Sequence, residues 1–164
     1  MSKNNLIQYY ESSAKVKQIG NSLQLHGQKI HLNGLIGSSL SFVLQSLFKN
    51  TEFPFLIILN DKEEAAYYLN DLERMIGEED VLFYPGSYRR PYQIEETDNA
   101  NVLLRAEVLN RINSRKKPAV IVTYPEALFE KVVLSKTLSG NIIRIKAGDS
   151  INVNELLSQF VDYG

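Results

Sequence analysis

The residues with the clearest potential for chemistry form a turn rich in glycine and serine at positions 33–41, Asn-Gly-Leu-Ile-Gly-Ser-Ser-Leu-Ser. An apolar segment precedes this turn, and a helical pattern follows it. Strand, glycine-rich turn and helix form the layout in which backbone N–H groups and a helix amino terminus bind phosphate. The turn therefore has the outline of a phosphate-binding loop.

The turn lacks the lysine that such a loop needs. The working motif is a glycine, four residues, a second glycine, a lysine and a serine or threonine. Counting from Gly34, Ser39 takes the place of the second glycine, Leu40 that of the lysine and Ser41 that of the Mg²⁺-binding hydroxyl. Loss of a hydrogen bond to a charged group costs roughly 1.5–3 kcal/mol, or roughly one to two orders of magnitude in affinity. We expect no cofactor at this degenerate loop. The alternative to a degenerate phosphate-binding loop is a simple tight turn from strand to helix, made by Gly34 and Gly37.

Composition places the chain among ordinary globular proteins. It has 164 residues, of which 44% are hydrophobic and 23% charged, and its net charge is −1. This balance gives no global electrostatic case for nucleic acid or an anionic membrane. Cysteine is absent, and His26 and His31 lack the spacing of metal ligands, so we expect no metal site. With no signal-peptide pattern and no run near the roughly 20 apolar residues of a membrane span, we expect a cytoplasmic protein.

The hydrophobic pattern predicts an α/β fold, with a mostly parallel sheet flanked by helices. Apolar runs predict strands, and apolar residues at helical spacing predict helices between them. The predicted strands are 29–33, 55–59, 81–84 and 119–123. The predicted helices are 5–18 with its end at Gly20-Asn21, 42–48, 62–76, 102–113 and 126–132. The apolar stripe of helix 102–113 is predicted to comprise Leu103, Leu104, Val108, Leu109 and Ile112.

A second unit is predicted to begin near residue 133, where the pattern changes. Residues 142–146 alternate like a half-exposed strand, and an amphipathic helix starts at Asn152 or Asn154. The predicted domains are therefore 1–132, which is α/β, and 133–164, the beginning of a small α+β domain that is cut short.

Five segments, in chain order, match a known pattern: 33–41, 59–66, 82–92, 120–128, and 145–149 with 154–157. Taken together they resemble the N-terminal UvrB-like module of bacterial transcription-repair coupling factor, and the resemblance extends from about residue 29 to residue 164. Leu40 and the short loop at 87–101 are similar to the coupling factor rather than to UvrB itself, which carries a long DNA-clamping hairpin.

The resemblance implies a degenerate P-loop helicase-like domain in 1–132 and the start of a UvrA-binding-type domain in 133–164. It implies a non-catalytic scaffold that helps to recruit UvrA and contributes to autoinhibition in transcription-coupled nucleotide excision repair. In that family, ATP-driven translocation and the binding of DNA and RNA polymerase belong to other domains, so no catalytic residue is expected here. The contacts with UvrA are expected to lie mostly beyond Gly164.

Two other functions remain open from the sequence. The first is a divergent P-loop nucleoside triphosphatase that binds phosphate without the lysine. The second is a DNA-binding module in which Arg89 and Arg90, flanked by Tyr88 and Tyr92, meet phosphates and stack on bases. For this loop we favour surface pairing of the two arginines with the acidic residues at 95–98.

Overall fold

The computed structural model describes residues 3–51, 53–88, 98–132, 146, 148 and 150–162. The elements, in chain order, are α1 (Lys3–Ser12), α2 (Ala14–Leu23), α3 (Ser39–Thr51), β1 (Phe55–Ile58), α4 (Lys62–Ile76), β2 (Val81–Tyr84), α5 (Asn99–Ser114), β3 (Val120–Thr123), α6 (Pro125–Phe129) and α7 (Val153–Asp162). None of the helices in these ranges is both long and apolar enough to cross a membrane.

The three strands form one parallel sheet in the order β1-β3-β2. Each strand is four residues long, and Val120 of β3 lies beside Phe55 of β1 and Val81 of β2. All four residues of β3 are buried, as expected for the central strand of a sheet covered on both faces. The α/β class and the small parallel sheet flanked by helices are thus confirmed.

The predicted strand at 29–33 is wrong. These residues have no regular secondary structure, and apart from Leu32 they are exposed. A short extended segment is stable only when a neighbouring strand pairs with its backbone, and β1 pairs with β3 alone among the described residues. The exposed polar residues of this segment, including His31 and Asn33, give no apolar face that would hold it on the sheet.

The helices before the sheet form a second layer of packing. Val16 of α2 is buried against Val43 and Leu47 of α3. The predicted single helix 5–18 is instead two helices that meet at Ser13, whose backbone is extended. Gly20 does not end α2 but lies buried inside it, where a Cβ atom would be 3.6 Å from Leu47.

The main core lies between the sheet and the helices α4 and α5. Leu72 of α4, Val108 of α5 and Val122 of the central strand β3 are almost completely buried in this core. In the strand order β1-β3-β2, the connection from β1 to β2 and the connection from β2 to β3 cross the sheet in opposite directions. Because connections between parallel strands are right-handed, α4 and α5 lie on opposite faces of the sheet.

The chain divides into two compact units, Met1–Glu130 and Lys131–Gly164. The sheet, its helices and the glycine-rich turn all belong to the first unit. In the second unit the structure describes α7, whose amphipathic pattern matches the predicted helix. The predicted strand at 142–146 lies outside the described residues except for Lys146, and the assignment of 133–164 to a UvrA-binding-type domain stays a prediction.

Candidate functional site

The glycine-rich turn is an exposed loop held closed by its own atoms. Gly34 and Gly37 have φ angles of 82° and 56°, in the left-handed region that favours glycine. The Ile36 N–H donates a 2.7 Å hydrogen bond to Ser39 Oγ, while the Ile36 side chain is 85% exposed. The Ser39 hydroxyl therefore closes the turn immediately before α3.

The two other hydroxyls of the turn contact α4. Ser38 Oγ and Tyr67 Oη lie 2.9 Å apart, and the buried Ser41 Oγ donates to Asp71 Oδ2 at 3.4 Å. Leu40, in the lysine position of the motif, is half-buried. In this arrangement the hydroxyls fix the start of α3 to α4.

No strand leads into this turn among the described residues, since 29–33 are irregular. In a phosphate-binding loop the turn follows a strand, so that backbone N–H groups gather at the carboxyl edge of the sheet. The strand–turn–helix layout predicted from the sequence is therefore not present among the described residues.

A dense polar cluster instead occupies the carboxyl edge of β2 and β3. At its centre is Arg105 of α5, a buried side chain whose NH1 donates to Pro85 O at 2.8 Å and to Ala127 O at 3.0 Å. The same nitrogen is 3.4 Å from Glu130 Oε2, and the guanidinium carbon lies 4.2 Å from the centre of the Tyr84 ring. One cation thereby joins α5, the end of β2 and the end of α6.

Glu130 extends the cluster to the loop that leaves β2. Its two carboxylate oxygens accept from the Ser87 N–H at 2.9 Å, and Oε2 also accepts from the Ser87 hydroxyl at 2.6 Å. The Gly86 N–H donates to Tyr124 Oη at 2.9 Å, and the Gly86 carbonyl accepts from Asn101 Nδ2 at 2.9 Å. We call this set the β2 clamp; it comprises Tyr84, Gly86, Ser87, Asn101, Arg105, Tyr124 and Glu130.

The β2 clamp leaves little room for a ligand. A Cβ atom on Gly86 would lie 2.9 Å from Glu130 Oε1 and 3.4 Å from Tyr124 Oη. Burial raises the pKa of the Tyr84 phenol, an effect that the nearby Arg105 charge partly offsets. Because its charged groups already bond to one another, the clamp fixes the base of the loop between β2 and α5 rather than presenting groups to a substrate.

Sequence reasoning did not identify Arg105, although a signal was present. An arginine stands three residues before Val108 and four before Leu109, in the middle of the predicted apolar stripe. In the structure Arg105 and Val108 face inward, whereas Leu103, predicted to belong to the stripe, is 71% exposed. A cation on the apolar face of a helix indicates a buried polar partner.

Basic residues gather at the opposite, amino edge of the sheet. Arg111 NH2 donates to Glu79 O at 2.8 Å, Lys117 Nζ lies 2.7 Å from Asp80 Oδ1, and Arg111 NH1 lies 3.7 Å from the same oxygen. Arg115 is exposed in the left-handed conformation that ends α5. The three basic residues Arg111, Arg115 and Lys117 line a cavity of about 470 Å³, whose apolar lining includes Ile112 and Ile121.

The remaining candidate residues are not brought together. His26 and His31 are exposed, and the described part of the chain contains no group of three or more histidine, cysteine or acidic residues that could hold a metal ion. Arg89 and Arg90 lie outside the described residues, so the predicted surface pairing and DNA contact both stay predictions.

Comparison with known proteins gives two distant relatives. The chain is 24% identical over 161 residues to the transcription-repair-coupling factor of Bacillus subtilis (strain 168), an alignment covering 98% of the chain and 14% of the relative. It is 22% identical over 122 residues to the transcription-repair-coupling factor of Rickettsia bellii (strain RML369-C), covering 74% of the chain and 11% of the relative. No family model and no solved structure matches. The chain is thus distantly related to transcription-repair-coupling factor, and it spans a small part of the length of these relatives.

Proposed function

We propose that this chain is a non-catalytic, UvrB-like module of a transcription-repair coupling factor, with a role in transcription-coupled DNA repair. The alignment over 98% of the chain carries the proposal, because it extends through both compact units rather than through one short motif. In this proposal the α/β unit is a degenerate helicase-like domain, and the second unit begins the domain that helps to recruit UvrA. The module also contributes to autoinhibition of the longer protein.

The glycine-rich turn supports the non-catalytic part of the proposal. Leu40 offers no charge to a phosphate, and the hydroxyls of Ser38 and Ser41 already contact α4. Binding of a nucleotide at the turn would have to break these contacts without the lysine that normally compensates. A divergent nucleoside triphosphatase is the competing function, and nucleotide titration distinguishes it.

Repair in the source organism tests the proposed role. We expect deletion of the coding segment for this chain to slow removal of ultraviolet lesions from the transcribed strand to the rate of the non-transcribed strand. Strand-specific repair of an active gene measures this difference. Unchanged preference for the transcribed strand would contradict the proposed role, and equal slowing on both strands would indicate a function in general excision repair instead.

A further inference from the structure

The edge strand β1 is exposed on the side away from β3. Phe55 N–H and Leu59 N–H donate to Ala119 O and Thr123 O of the β3 segment at 3.0 and 2.9 Å. Because backbone groups alternate in direction along a strand, the N–H and C=O groups of Leu56 and Ile58 point to the free edge. The part of the chain that the structure describes pairs no strand with this edge.

The side chains of the same two residues are also uncovered. Leu56 and Ile58 are 56% and 53% exposed, although they alternate with Phe55 and Ile57, which pack against the main core. In register, Leu56 lies beside Ile121, which lines the cavity under α5. The sheet face that carries α5 is therefore covered at β2 and β3 but left apolar and open at β1.

Two cavities flank the amino end of β1, and Pro54 lines both. One, of about 470 Å³, lies between Pro54 and the end of α5 at Ile112. The other, of about 580 Å³, lies between β1 and residues 23–26 at the end of α2. Strand edge, apolar side chains and cavities thus form one surface, which we call the β1 edge surface.

The charges around this surface have an excess of one sign. The basic residues at the end of α5 and just after it are Arg111, Arg115, Lys116 and Lys117. Asp80 and Glu79 pair with Arg111 and Lys117. Arg115 lines the cavity at the end of α5, and both Arg115 and the neighbouring Lys116 are exposed. A bound segment would gain most from carboxylates at this end of β1.

We propose that the β1 edge surface binds an extended, apolar segment of a partner protein that adds a strand beside β1 and carries acidic residues at the end near Arg115. Backbone hydrogen bonds to Leu56 and Ile58 supply register, apolar side chains of the segment cover these two residues, and the carboxylates meet Arg115 and Lys116. This is recognition by strand addition. The inference does not depend on the proposed role in repair.

A designed peptide tests the proposal directly. The probe is a fluorescent peptide of alternating valine and threonine with glutamates at both ends, so that either strand direction brings a carboxylate to Arg115. Anisotropy titration of the complete chain is expected to give a dissociation constant below about 1 mM. The same peptide with lysines for glutamates should bind at least about tenfold more weakly, as should an N-methylated version that cannot form the backbone bonds.

Variants of the chain separate the parts of the surface. Ile58→Pro removes an outward N–H and replaces one of the two exposed apolar side chains, which an edge strand tolerates, and it should abolish binding while the fold is kept. Leu56→Asp and Arg115→Glu should each weaken binding at least about tenfold. Leu103→Asp is the matched control, since Leu103 is exposed on α5 outside both cavities, and its affinity should not change.

Three outcomes would overturn the proposal. Absence of binding up to about 1 mM would exclude strand addition of this chemistry. Equal affinity for the N-methylated peptide would show that the surface binds side chains without adding a strand. Self-association that competes with the peptide and disappears in Ile58→Pro would identify a second copy of this chain as the occupant.

Discussion

The glycine-rich turn and the β2 clamp are opposite cases of how sequence and structure relate. The turn has a recognisable pattern, yet residues 33–37 are exposed, no described strand precedes it, and its serine hydroxyls bond within the turn or to α4. The β2 clamp has no motif, yet it joins two helices to the carboxyl edge of the sheet through a buried arginine. The comparison teaches that a recognisable sequence pattern does not by itself mark the part of the fold that buried contacts constrain most tightly.

The largest expected effect is in the β2 clamp, on replacing Arg105. Arg105→Leu leaves Glu130 and the carbonyls of Pro85 and Ala127 without their cation in a buried setting. Removal of one partner of a buried ion pair costs about 3–5 kcal/mol. We expect urea unfolding, followed by circular dichroism, to show this loss in the free energy of unfolding. Thermal unfolding should give a melting temperature lower by about 10 °C.

The matched control for this change is Arg115→Leu. Arg115 is exposed at the end of α5, so its stability change should stay within about 0.5 kcal/mol. Equal effects of the two substitutions would mean that the β2 clamp does not stabilise the fold more than a surface arginine does.

A smaller effect is expected from adding one methyl group to the clamp. In Gly86→Ala the new Cβ would lie 2.9 Å from Glu130 Oε1, so the carboxylate must move away from Ser87 or the loop must shift. Overpacking of this kind costs about 1–3 kcal/mol. Denaturant unfolding measures it.

Gly20→Ala supplies a control of opposite sign. The new Cβ in α2 would make an ordinary 3.6 Å contact with Leu47, and alanine is the better helix former. We expect a gain of about 0.5–1 kcal/mol, and a loss as large as that of Gly86→Ala would show that the tight contact at Gly86 is not the cause there.

At the turn, the buried hydroxyl of Ser41 should contribute less than the clamp does. Ser41→Ala removes one 3.4 Å hydrogen bond to Asp71, so we expect a loss of about 1 kcal/mol in thermal unfolding. Ser12→Ala, an exposed serine of α1, is the control and should change stability by less than half as much. A loss as large as that of Arg105→Leu would reverse the ranking of the two regions.

The smallest expected effect follows from restoring the missing lysine. Leu40 is half-buried, so the lysine in Leu40→Lys can extend its charged end into solvent, and stability should change by about 0.5 kcal/mol or less. ATP hydrolysis, measured as phosphate release, should stay at the background of the unmodified chain, because one lysine does not supply the strand that precedes a working loop. Appreciable turnover would show that the turn retains the rest of a nucleotide site.

Much of the sheet could be predicted from hydrophobic runs alone. The runs at 55–59, 81–84 and 119–123 are continuous and apolar, and each contains an observed strand. The limits of α4 can be predicted from the sequence because aspartate favours the amino-terminal cap of a helix and glycine favours its end. In the structure the Asp61 side chain accepts from the Glu64 N–H at 2.7 Å, and Gly77 follows the last residue of α4. In these places local pattern and tertiary packing agree.

The failures have a common physical reason. The strand predicted at 29–33 depends on a neighbour that pairs with it, and the burial of Arg105 depends on carbonyls some 20 residues away along the chain in either direction. Neither partner can be identified from a local pattern. Gly20 likewise lies inside α2 because α3 packs against it, although glycine usually favours a helix end.

The measurement that tests the account most directly is calorimetric titration of the unmodified chain with Mg-ATP. In the proposed function the glycine-rich turn, whose sequence has the outline of a nucleotide loop, binds no nucleotide. We predict no binding heat up to about 1 mM nucleotide, because Leu40 carries no charge and the hydroxyls of Ser38 and Ser41 contact α4. Saturable binding with a micromolar dissociation constant would contradict the claim and favour a divergent nucleoside triphosphatase.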